Sequence, residues 1–516
     1  MGDRLRRGGR LLWLGTQIAI LSALVLTTRC ANFRDVFVGG KIYFVDADCY
    51  SRMTRARMIE EHPGTIVRQE NFENYPAGVR SHATAPLDYL IVGLAAVLSS
   101  LTAQPLDLAG AIISPLLALL GGWFLWWWSR KSGFRYRWAA LLLFALSPIL
   151  AHGTALGRPD HQSLLMMLLL VALAAEWTLL RLPSTAWSVV SGLSWGLALW
   201  VSLYEPLVLL VALGLILRAR LFVRPRRVGW YLTAGILLLA AVIERHWPEL
   251  PAPEWRPFFA HWSATIGELR SVGLTNPVWW QWIGLFFLAT PILVFFALRR
   301  KLIEPAFAVL LGLLFLLTIW QARWSYFLGI VLVVMLPALF EVVRRRSLGN
   351  LFLALALLPI FSAWDETFWP NEQMAARQAE ARAEAAEWRA AASIIPRGQV
   401  APFLAPWWLS PEMAYWSRQP GVAGSSHESL RGIVDSARFF LALVPNDAEA
   451  ILRRDGVKWV FAYDGDRVAE NSAAILGVAA PPGALCFILD QTPARAPSFL
   501  AFVGQNNSCK IYRVRD

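Results

Sequence analysis

The sequence contains few cysteines and relatively few acidic residues. Its 516 residues include four cysteines, and none has the CxxC or Cys/His spacing of a metal site. Aspartate and glutamate together number 36, against 48 lysines and arginines. The chain also lacks an internal sequence repeat and a long disordered tract. These absences exclude a cysteine-based metal centre and a repeat architecture.

Apolar residues are abundant instead. They make up 56% of the chain, and the mean hydropathy is +0.46. Long apolar runs fill the region between Leu11 and Ala363 and are rare after it. Because a soluble domain needs no such runs, we predict a polytopic α-helical membrane domain of about 11 spans at residues 1–363. A soluble α/β domain follows at residues 364–516.

The spans can be placed between short clusters of basic residues. Several are shorter than the roughly 20 residues of a straight crossing, so their ends are approximate. The predicted spans are residues 11–28, 108–128, 138–156, 163–180, 187–203, 206–217, 228–243, 278–298, 306–319, 327–343 and 351–363.

The positive charge of the chain follows these spans. With this placement, every arginine-rich connection falls on one side, as the positive-inside rule predicts for the cytoplasmic face. The clusters lie at residues 4–10, 130–137, 218–227, 299–301 and 344–346. The net charge of +12 and the pI of about 9.9 therefore indicate membrane topology, and we expect no nucleic-acid partner.

Three loops and the C-terminal domain then face outward. The loops span residues 29–107, 157–162 and 244–277, and the apolar segment 86–101 is predicted as an external or interfacial helix in the first of them. In the C-terminal domain, an Ala/Glu/Arg-rich stretch at residues 371–395 predicts a helix, and residues 457–463 (VKWVFAY) predict a strand.

Two of the outer loops contain residues that suit a divalent cation. The first reads Asp46-Ala-Asp48, and carboxylate oxygens are the ligands that Mg²⁺ and Mn²⁺ prefer. The second contains Asp160 and His161 directly before a helix, where the helix dipole favours anions. Taken alone, either aspartate-containing motif is also explained as a turn or helix cap.

Two further charged residues fall on the same face. Glu268 lies in a Thr-Ile-Gly-Glu sequence of the third loop, and Arg323 lies between two apolar runs. An arginine there suits a lipid phosphate or diphosphate. Separately, Glu268 is also explained as a solvated loop residue and Arg323 as a snorkelling arginine. All four charged motifs fall on the same predicted face. Ionisable groups at a membrane edge are costly, so together they favour a functional site.

These motifs resemble those of oligosaccharyltransferase catalytic subunits, which are type C membrane glycosyltransferases. Asp48 in DADCYSRMTRAR matches the metal-binding aspartate of the family's first loop. GRPDHQ resembles its second acidic motif, and Glu268 in TIGE matches the glutamate that holds metal and acceptor. Arg323 resembles the arginine that contacts the donor diphosphate.

The chain departs from this family in two motifs. Gln162 stands where an acidic residue or histidine is usual, so one metal ligand is missing or is supplied by His161. The family's Trp-Trp-Asp-Tyr-Gly motif, which reads the acceptor sequon, is represented only by Trp407 and Trp408, which remain acceptor-side candidates. Leu409 follows them, and it cannot accept a hydrogen bond from a hydroxyl.

The resemblance implies a mechanism and a setting. A Mg²⁺ or Mn²⁺ ion on Asp48, Asp160, His161 and Glu268 would, with Arg323, neutralise the departing phosphate of a polyprenyl-linked sugar. Catalysis would rest on Asp48 and Glu268, with Glu268 orienting the acceptor. We expect a single-subunit enzyme of a prokaryotic plasma membrane, with a cytoplasmic N-terminus and an extracytoplasmic C-terminal domain. The acceptor is a protein or a glycan or lipid.

Other classes of protein remain as alternatives. A transporter or flippase of lipid-linked sugars would share the helices and the basic loops, but it would carry its polar site near the membrane midplane, often with repeats. A membrane-anchored binding protein would leave the loop carboxylates without a common purpose. His82 and Glu205 lie near the outer ends of spans; we expect structural roles for them, with a contribution to the site as the alternative. Cys486 and Cys509 either pair or remain free thiols.

Overall fold

The computed structural model describes residues 2–245 and 251–515. The chain forms two compact units, each built from three segments. The first, here called the helical unit, comprises Met1–Phe33, Ala111–Ile243 and Arg270–Asn371. The second, here called the mixed unit, comprises Arg34–Gly110, Glu244–Leu269 and Glu372–Asp516. The division between residues 363 and 364 remains a prediction about membrane and soluble parts.

The helical unit consists of long apolar helices joined by short turns. Every predicted span falls on one helix or on a consecutive pair of helices, and six helices among the described residues are long and apolar enough to cross a membrane. The helices that lie wholly or mainly in this unit are Gly2–Arg29, Pro105–Lys131, Arg137–Leu146, Pro148–His152, His161–Arg181, Thr185–Val201, Tyr204–Leu217, Arg224–Glu244, Val278–Ile283, Phe286–Arg299, Pro305–Trp320, Ser325–Phe340 and Arg346–Phe368. The polytopic α-helical fold is thereby confirmed.

One helix forms the centre of this unit. All 16 residues of Ser325–Phe340 are buried. A helix that is apolar on every side must be enclosed by other helices or by lipid, and here protein encloses it. Gly329 allows a close approach, because a Cβ atom there would lie 3.0 Å from the Leu150 side chain.

Two predicted spans are each broken into two helices. The first breaks at Ser147, where Pro148 begins a new helix and supplies no backbone N–H. The second breaks at Gly284, which has a φ of +62°. A Cβ atom at Gly284 would lie 2.0 Å from the carbonyl oxygen of Ala356. Glycine is therefore required there both by the left-handed backbone and by the packing.

The mixed unit combines short helices with two small sheets. Strands β1 (Phe37–Val38) and β2 (Lys41–Ile42) pair antiparallel. The second sheet contains β3 (Phe403–Leu404), β4 (Trp459–Ala462), β5 (Leu500–Gln505) and β6 (Lys510–Val514) in the order β3-β4-β6-β5. Only the β3–β4 pair is parallel among these strands. The α-helices of four or more residues in this unit are Phe33–Val36, Ala47–Glu61, Ala85–Leu98, Arg256–Thr265, Glu372–Ala392, Ser410–Ser417, Leu430–Leu441, Pro445–Arg454, Gly465–Leu476 and Leu485–Gln491.

The elements predicted for this unit are present at the expected places. The VKWVFAY segment forms β4, whose four residues are all buried. The Ala/Glu/Arg-rich stretch forms the helix Glu372–Ala392. The segment predicted as an external helix forms the helix Ala85–Leu98, which belongs entirely to the mixed unit. Cys486 and Cys509 are both buried free thiols, and burial raises their pKa values to about 11 and about 12.

Buried acidic groups join the first loop to the C-terminal residues. Glu73 is 4% exposed and accepts hydrogen bonds from the Ser51 hydroxyl, from the backbone N–H of Ser425 at 3.1 Å and from the Ser429 hydroxyl at 3.1 Å. Burial raises the pKa of Glu73, and these hydrogen bonds oppose the shift. Nearby, Glu70 is also buried. Burial raises the pKa of Glu70 to about 8, and its Oε2 atom has no hydrogen-bond partner among the described residues.

Replacing Gly284 with alanine should destabilise the helical unit. The substitution adds backbone strain from the positive φ, on the order of 1–3 kcal/mol, to a clash with the Ala356 carbonyl. We expect a lower melting temperature in detergent. Gly312→Ala is the matched control, because a Cβ atom there meets nothing within 4 Å and alanine favours a helix. Equal melting temperatures for the two variants would contradict the packing described for Gly284.

Glu70 should make the stability of the mixed unit depend on pH. The unfolded chain releases this proton near the ordinary glutamate pKa of 4.5, but burial raises the pKa in the folded protein to about 8. Stability should therefore fall as the pH rises from about 4.5 to about 8. Glu70→Gln should remove this dependence, so that its melting temperature gains on the wild type as the pH rises. The exposed Glu470→Gln is the control, and a pH-independent difference for Glu70→Gln would refute the assignment.

Candidate active site

Asp48 lies in the first turn of the helix Ala47–Glu61. Asp46 caps this helix by accepting a hydrogen bond from the Cys49 backbone N–H at 3.0 Å. The cap interpretation therefore applies to Asp46, whereas Asp48 is exposed to solvent. Two neighbouring aspartates thus differ in role: one fixes the start of the helix, and the other presents a carboxylate at its surface.

The helix that carries Asp48 is held firmly in the mixed unit. On its buried side, Arg52 and Arg55 bind the carboxylate of Asp88 at 2.7 and 3.0 Å. Tyr50 stacks edge-on against Trp416, with ring centroids 5.1 Å apart. The position of Asp48 therefore depends on buried contacts made by its own helix.

Glu268 belongs to the 3₁₀ turn Gly267–Leu269, directly after the helix Arg256–Thr265. Thr265 hydrogen-bonds back to the Trp262 carbonyl at 2.7 Å. The side chain of Ile266 packs against the buried cluster around Trp262 and Ile433. The apolar residues of the motif thus anchor the turn, and Glu268 is half-buried at its surface.

Trp407 packs against the same cluster as Ile266. Its ring lies edge-on to Trp262, with centroids 5.6 Å apart, and its Nε1 donates to Asn471 at 2.8 Å. The TIGE turn and the first of the paired tryptophans therefore share one packed core inside the mixed unit. Sequence reasoning predicted both motifs but gave no indication of this shared support.

Trp408 and Leu409 have different environments. Trp408 is half-buried and lies beneath the guanidinium of Arg467, 5.4 Å from its ring centroid. Leu409 is only 8% exposed. The following residue, Ser410, donates its hydroxyl hydrogen to the Ala423 carbonyl at 2.7 Å. An apolar buried residue therefore occupies the position where the related motif has a hydrogen-bonding aspartate.

Asp160 and His161 lie in the helical unit at the start of the helix His161–Arg181. Asp160 is 6% exposed, and its Oδ1 lies 2.6 Å from Nδ1 of His161. Its Oδ2 lies 3.8 Å from the guanidinium of Arg158. The helix N-terminus favours the negative charge of Asp160, and a carboxylate beside an imidazole is a donor set that fits a divalent cation.

Arg158 extends this group inward. Its Nη1 donates to Nε2 of His152 at 3.3 Å, and Nδ1 of His152 lies 2.8 Å from the Tyr326 hydroxyl. Because arginine can only donate, this contact assigns the proton of a neutral His152 to Nδ1. His152 and Tyr326 were not predicted as site residues, and their only sequence signal is a polar group inside an apolar run.

Arg323 lies in the 3₁₀ turn Ala322–Trp324 and pairs with Glu205. Glu205 is 1% exposed and also accepts a hydrogen bond from Ser202 at 2.6 Å. The Arg323 guanidinium lies 5.6 Å from the centroid of the Tyr204 ring. Arg323 is thus oriented by a buried carboxylate, while 19% of its side chain remains exposed.

Each unit therefore carries part of the predicted site. The mixed unit supplies Asp48, Glu268 and the paired tryptophans, and the helical unit supplies the other predicted ligands and the arginine. Sequence reasoning also missed a group in the mixed unit, formed by His82, His427 and Glu428. Its only signal was that the chain contains just seven histidines.

Comparison with solved structures identifies the fold. The archaeal oligosaccharyltransferase AglB from Archaeoglobus fulgidus, in complex with an inhibitory peptide and a dolichol-phosphate, superposes with a TM-score of 0.68 at 15% identity, over 93% of this chain and 72% of that chain. The oligosaccharyltransferase of the same organism in complex with Zn and sulfate gives a TM-score of 0.66 at 15% identity, over 96% of this chain and 72% of that chain.

A second kind of neighbour matches over nearly the full length of both proteins. ArnT from Cupriavidus metallidurans, bound to undecaprenyl phosphate, gives a TM-score of 0.58 at 13% identity, over 98% of each chain. No protein-family model and no curated protein sequence matches the chain. The chain is a multi-pass membrane protein with the fold of type C glycosyltransferases, and its resemblance to oligosaccharyltransferases is confirmed at the level of the fold.

Proposed function

We propose that the protein is a membrane glycosyltransferase that moves a sugar or an oligosaccharide from a polyprenyl-(di)phosphate donor to an acceptor on the outer face. One observation carries the proposal: structures similar over 93% and 98% of this chain hold dolichol-phosphate and undecaprenyl phosphate. Fold alone does not fix function. The second support is therefore the set of carboxylates and the arginine that the chain retains in the matching motifs.

The first part of the proposal concerns a divalent cation. Asp48, Asp160, His161 and Glu268 are its proposed ligands, because carboxylates with one imidazole suit Mg²⁺ or Mn²⁺. When bound, the ion supplies a positive charge that stabilises the departing phosphate. The pairing of Asp160 with His161 supports the assignment of His161 as the residue that compensates for Gln162.

The second part concerns the donor and the acceptor. Arg323 binds the donor phosphate through the N–H groups of its guanidinium, and Glu205 positions it. Glu268 accepts a hydrogen bond from the N–H or O–H of the acceptor and orients the acceptor for attack. The nucleophile then forms the new bond to the anomeric carbon and gives up its proton to Glu268, and the phosphate leaves with the electron pair of the broken bond.

The acceptor is the part in which the chain differs most from oligosaccharyltransferases. Leu409 is buried and offers no hydrogen-bond acceptor. We therefore favour transfer to a lipid, a glycan or a protein side chain other than a sequon asparagine. Protein N-glycosylation with relaxed sequence reading is the other version. We place the enzyme in a prokaryotic plasma membrane as a single subunit, with its N-terminus in the cytoplasm.

Transfer should depend on the loop carboxylates. Membranes containing the protein would be supplied with a labelled polyprenyl-diphosphate glycan, a sequon peptide and endogenous lipid and glycan acceptors. We expect Asp48→Asn and Glu268→Gln each to slow transfer by about 100-fold or more, because a charge-stabilising group is lost. A chelator should act on the wild type in the same direction, and added Mg²⁺ or Mn²⁺ should restore transfer.

The control for this assay is Glu254→Gln, which alters an exposed glutamate of the same loop. Transfer to the peptide would establish sequon recognition despite Leu409, and transfer only to another acceptor would exclude it. A third outcome would favour the flippase alternative over this proposal. In that case the donor crosses vesicle membranes, Asp48→Asn does not slow this movement, and no sugar is transferred.

The Arg323–Glu205 pair should show its positioning role as coupled stability. Arg323→Ala leaves the buried Glu205 charge without this partner, at a cost on the order of 3 kcal/mol. In a double-mutant cycle, the double variant Arg323→Ala/Glu205→Gln should melt at a higher temperature than Arg323→Ala alone. Transfer should remain low in the single and in the double variant. Additive effects on stability would show that the pair does not matter for the fold.

The control for this cycle is the more exposed pair Arg220–Glu304, whose groups lie 3.4 Å apart at 69% and 28% exposure. Its disruption by Arg220→Ala should change the melting temperature little. A comparable loss there would mean that the assay reports general damage to the helical unit.

A further inference from the structure

His82, His427 and Glu428 come together in the mixed unit although they are far apart in sequence. Nδ1 of His82 lies 3.0 and 3.2 Å from the two carboxylate oxygens of Glu428. Nδ1 of His427 lies 3.5 Å from Oε2 of the same carboxylate. One ligand atom from each residue lies within 4.8 Å of the others. Two imidazoles and a carboxylate therefore converge on one point.

The carboxylate at the centre of this group is well fixed. Only 7% of the Glu428 side chain is exposed, and the His82 backbone N–H donates to its Oε1 at 2.9 Å. The His82 ring lies within hydrogen-bond distance of both carboxylate oxygens as well. The Glu428 carboxylate is therefore held in place by a backbone N–H and by an imidazole.

Both histidine rings are also placed by neighbouring groups. The rings of His82 and His427 are stacked with centroids 5.5 Å apart, and Phe259 lies edge-on to His427 at 6.2 Å. Exposure of the side chains is 45% for His82 and 28% for His427. An ion from solution therefore has access to the group without any rearrangement of the core.

A cavity of about 400 Å³ adjoins this group. His427 and Glu428 form part of its wall, together with Arg80, Arg431 and Trp255. An ion on the three side chains would border this cavity, so water or a substrate oxygen has room to complete the coordination. Three protein ligands with one open position is the arrangement of exchangeable zinc sites.

We propose that His82, His427 and Glu428 form a binding site for a zinc-type divalent cation, separate from the metal ligands of the transfer reaction. Two nitrogen donors and one oxygen donor favour Zn²⁺ or Co²⁺, whereas Mg²⁺ and Ca²⁺ prefer oxygen ligands throughout. The ion joins the first loop to the C-terminal residues and so fixes the wall of the cavity. This inference does not depend on the proposed transfer activity.

Metal binding to purified protein tests the site directly. The full chain, carrying no polyhistidine tag, would be stripped with a chelator in detergent and titrated with Zn²⁺ by calorimetry and with Co²⁺ by visible absorption. We expect His82→Ala and His427→Ala each to weaken binding by about 100-fold or more, since loss of even an outer-shell partner costs about 10–100-fold. Glu428→Gln should do the same with little change in shape.

The controls separate this site from the rest of the chain. His62→Ala removes an exposed histidine outside the group, and Asp160→Asn alters the other proposed metal site. Both should leave this zinc binding unchanged. Zn²⁺ should also raise the melting temperature of the wild type but not of His427→Ala or Glu428→Gln. These measurements read binding and stability, so they stand even if no transfer is ever found.

Two results would overturn the proposal. In the first, the wild type binds no more Zn²⁺ or Co²⁺ than the Glu428→Gln variant does. His82 and Glu428 would then be a hydrogen-bonded pair and no metal site. The other is binding that only Asp160→Asn removes, which would assign the ion to the helical unit.

Discussion

The carboxylate of Asp88 is the group on which the arrangement of the first loop depends. It is fully buried and is bound by Arg52 and Arg55, which are 5% and 2% exposed. Removing one partner from such a buried ionic group is far more costly than removing an exposed pair. Because both arginines lie on the helix Ala47–Glu61, the same interaction sets where Asp48 stands at the start of that helix.

Much of the fold was predictable because lipid imposes a simple rule on sequence. A span must be apolar over its length, so the runs between residues 11 and 363 were recognisable one by one. The breaks were harder to see. Gly284 is one of 35 glycines, and it is set apart by its positive φ and by the carbonyl of Ala356, 72 residues further along. The short pairing of β3 with β4 likewise depends on a partner distant in sequence.

The candidate site was predictable to the extent that it consists of short local motifs. Asp48, Asp160 and Glu268 were each named from a few neighbouring residues, and each lies at the beginning of a helix or in a turn after one. The residues that hold the site residues in place were harder to predict from the sequence. Glu205 lies 118 residues from Arg323, and burial of such a carboxylate beside a guanidinium leaves no local pattern.

The histidine group illustrates the same limit at greater distance, since His82 and Glu428 are separated by 346 residues. No spacing rule connects two such positions. Only the packing of the first loop against the C-terminal residues, through groups such as Glu73, brings them together. The position of this group is therefore encoded by tertiary contacts and not by a local motif.

The two buried cysteines of the C-terminal region have a consequence for disulfide exchange. With pKa values of about 11 and about 12, Cys486 and Cys509 are almost entirely protonated at neutral pH, and the thiol form is a poor nucleophile. Once this region has folded, neither thiol is therefore a ready nucleophile for disulfide exchange.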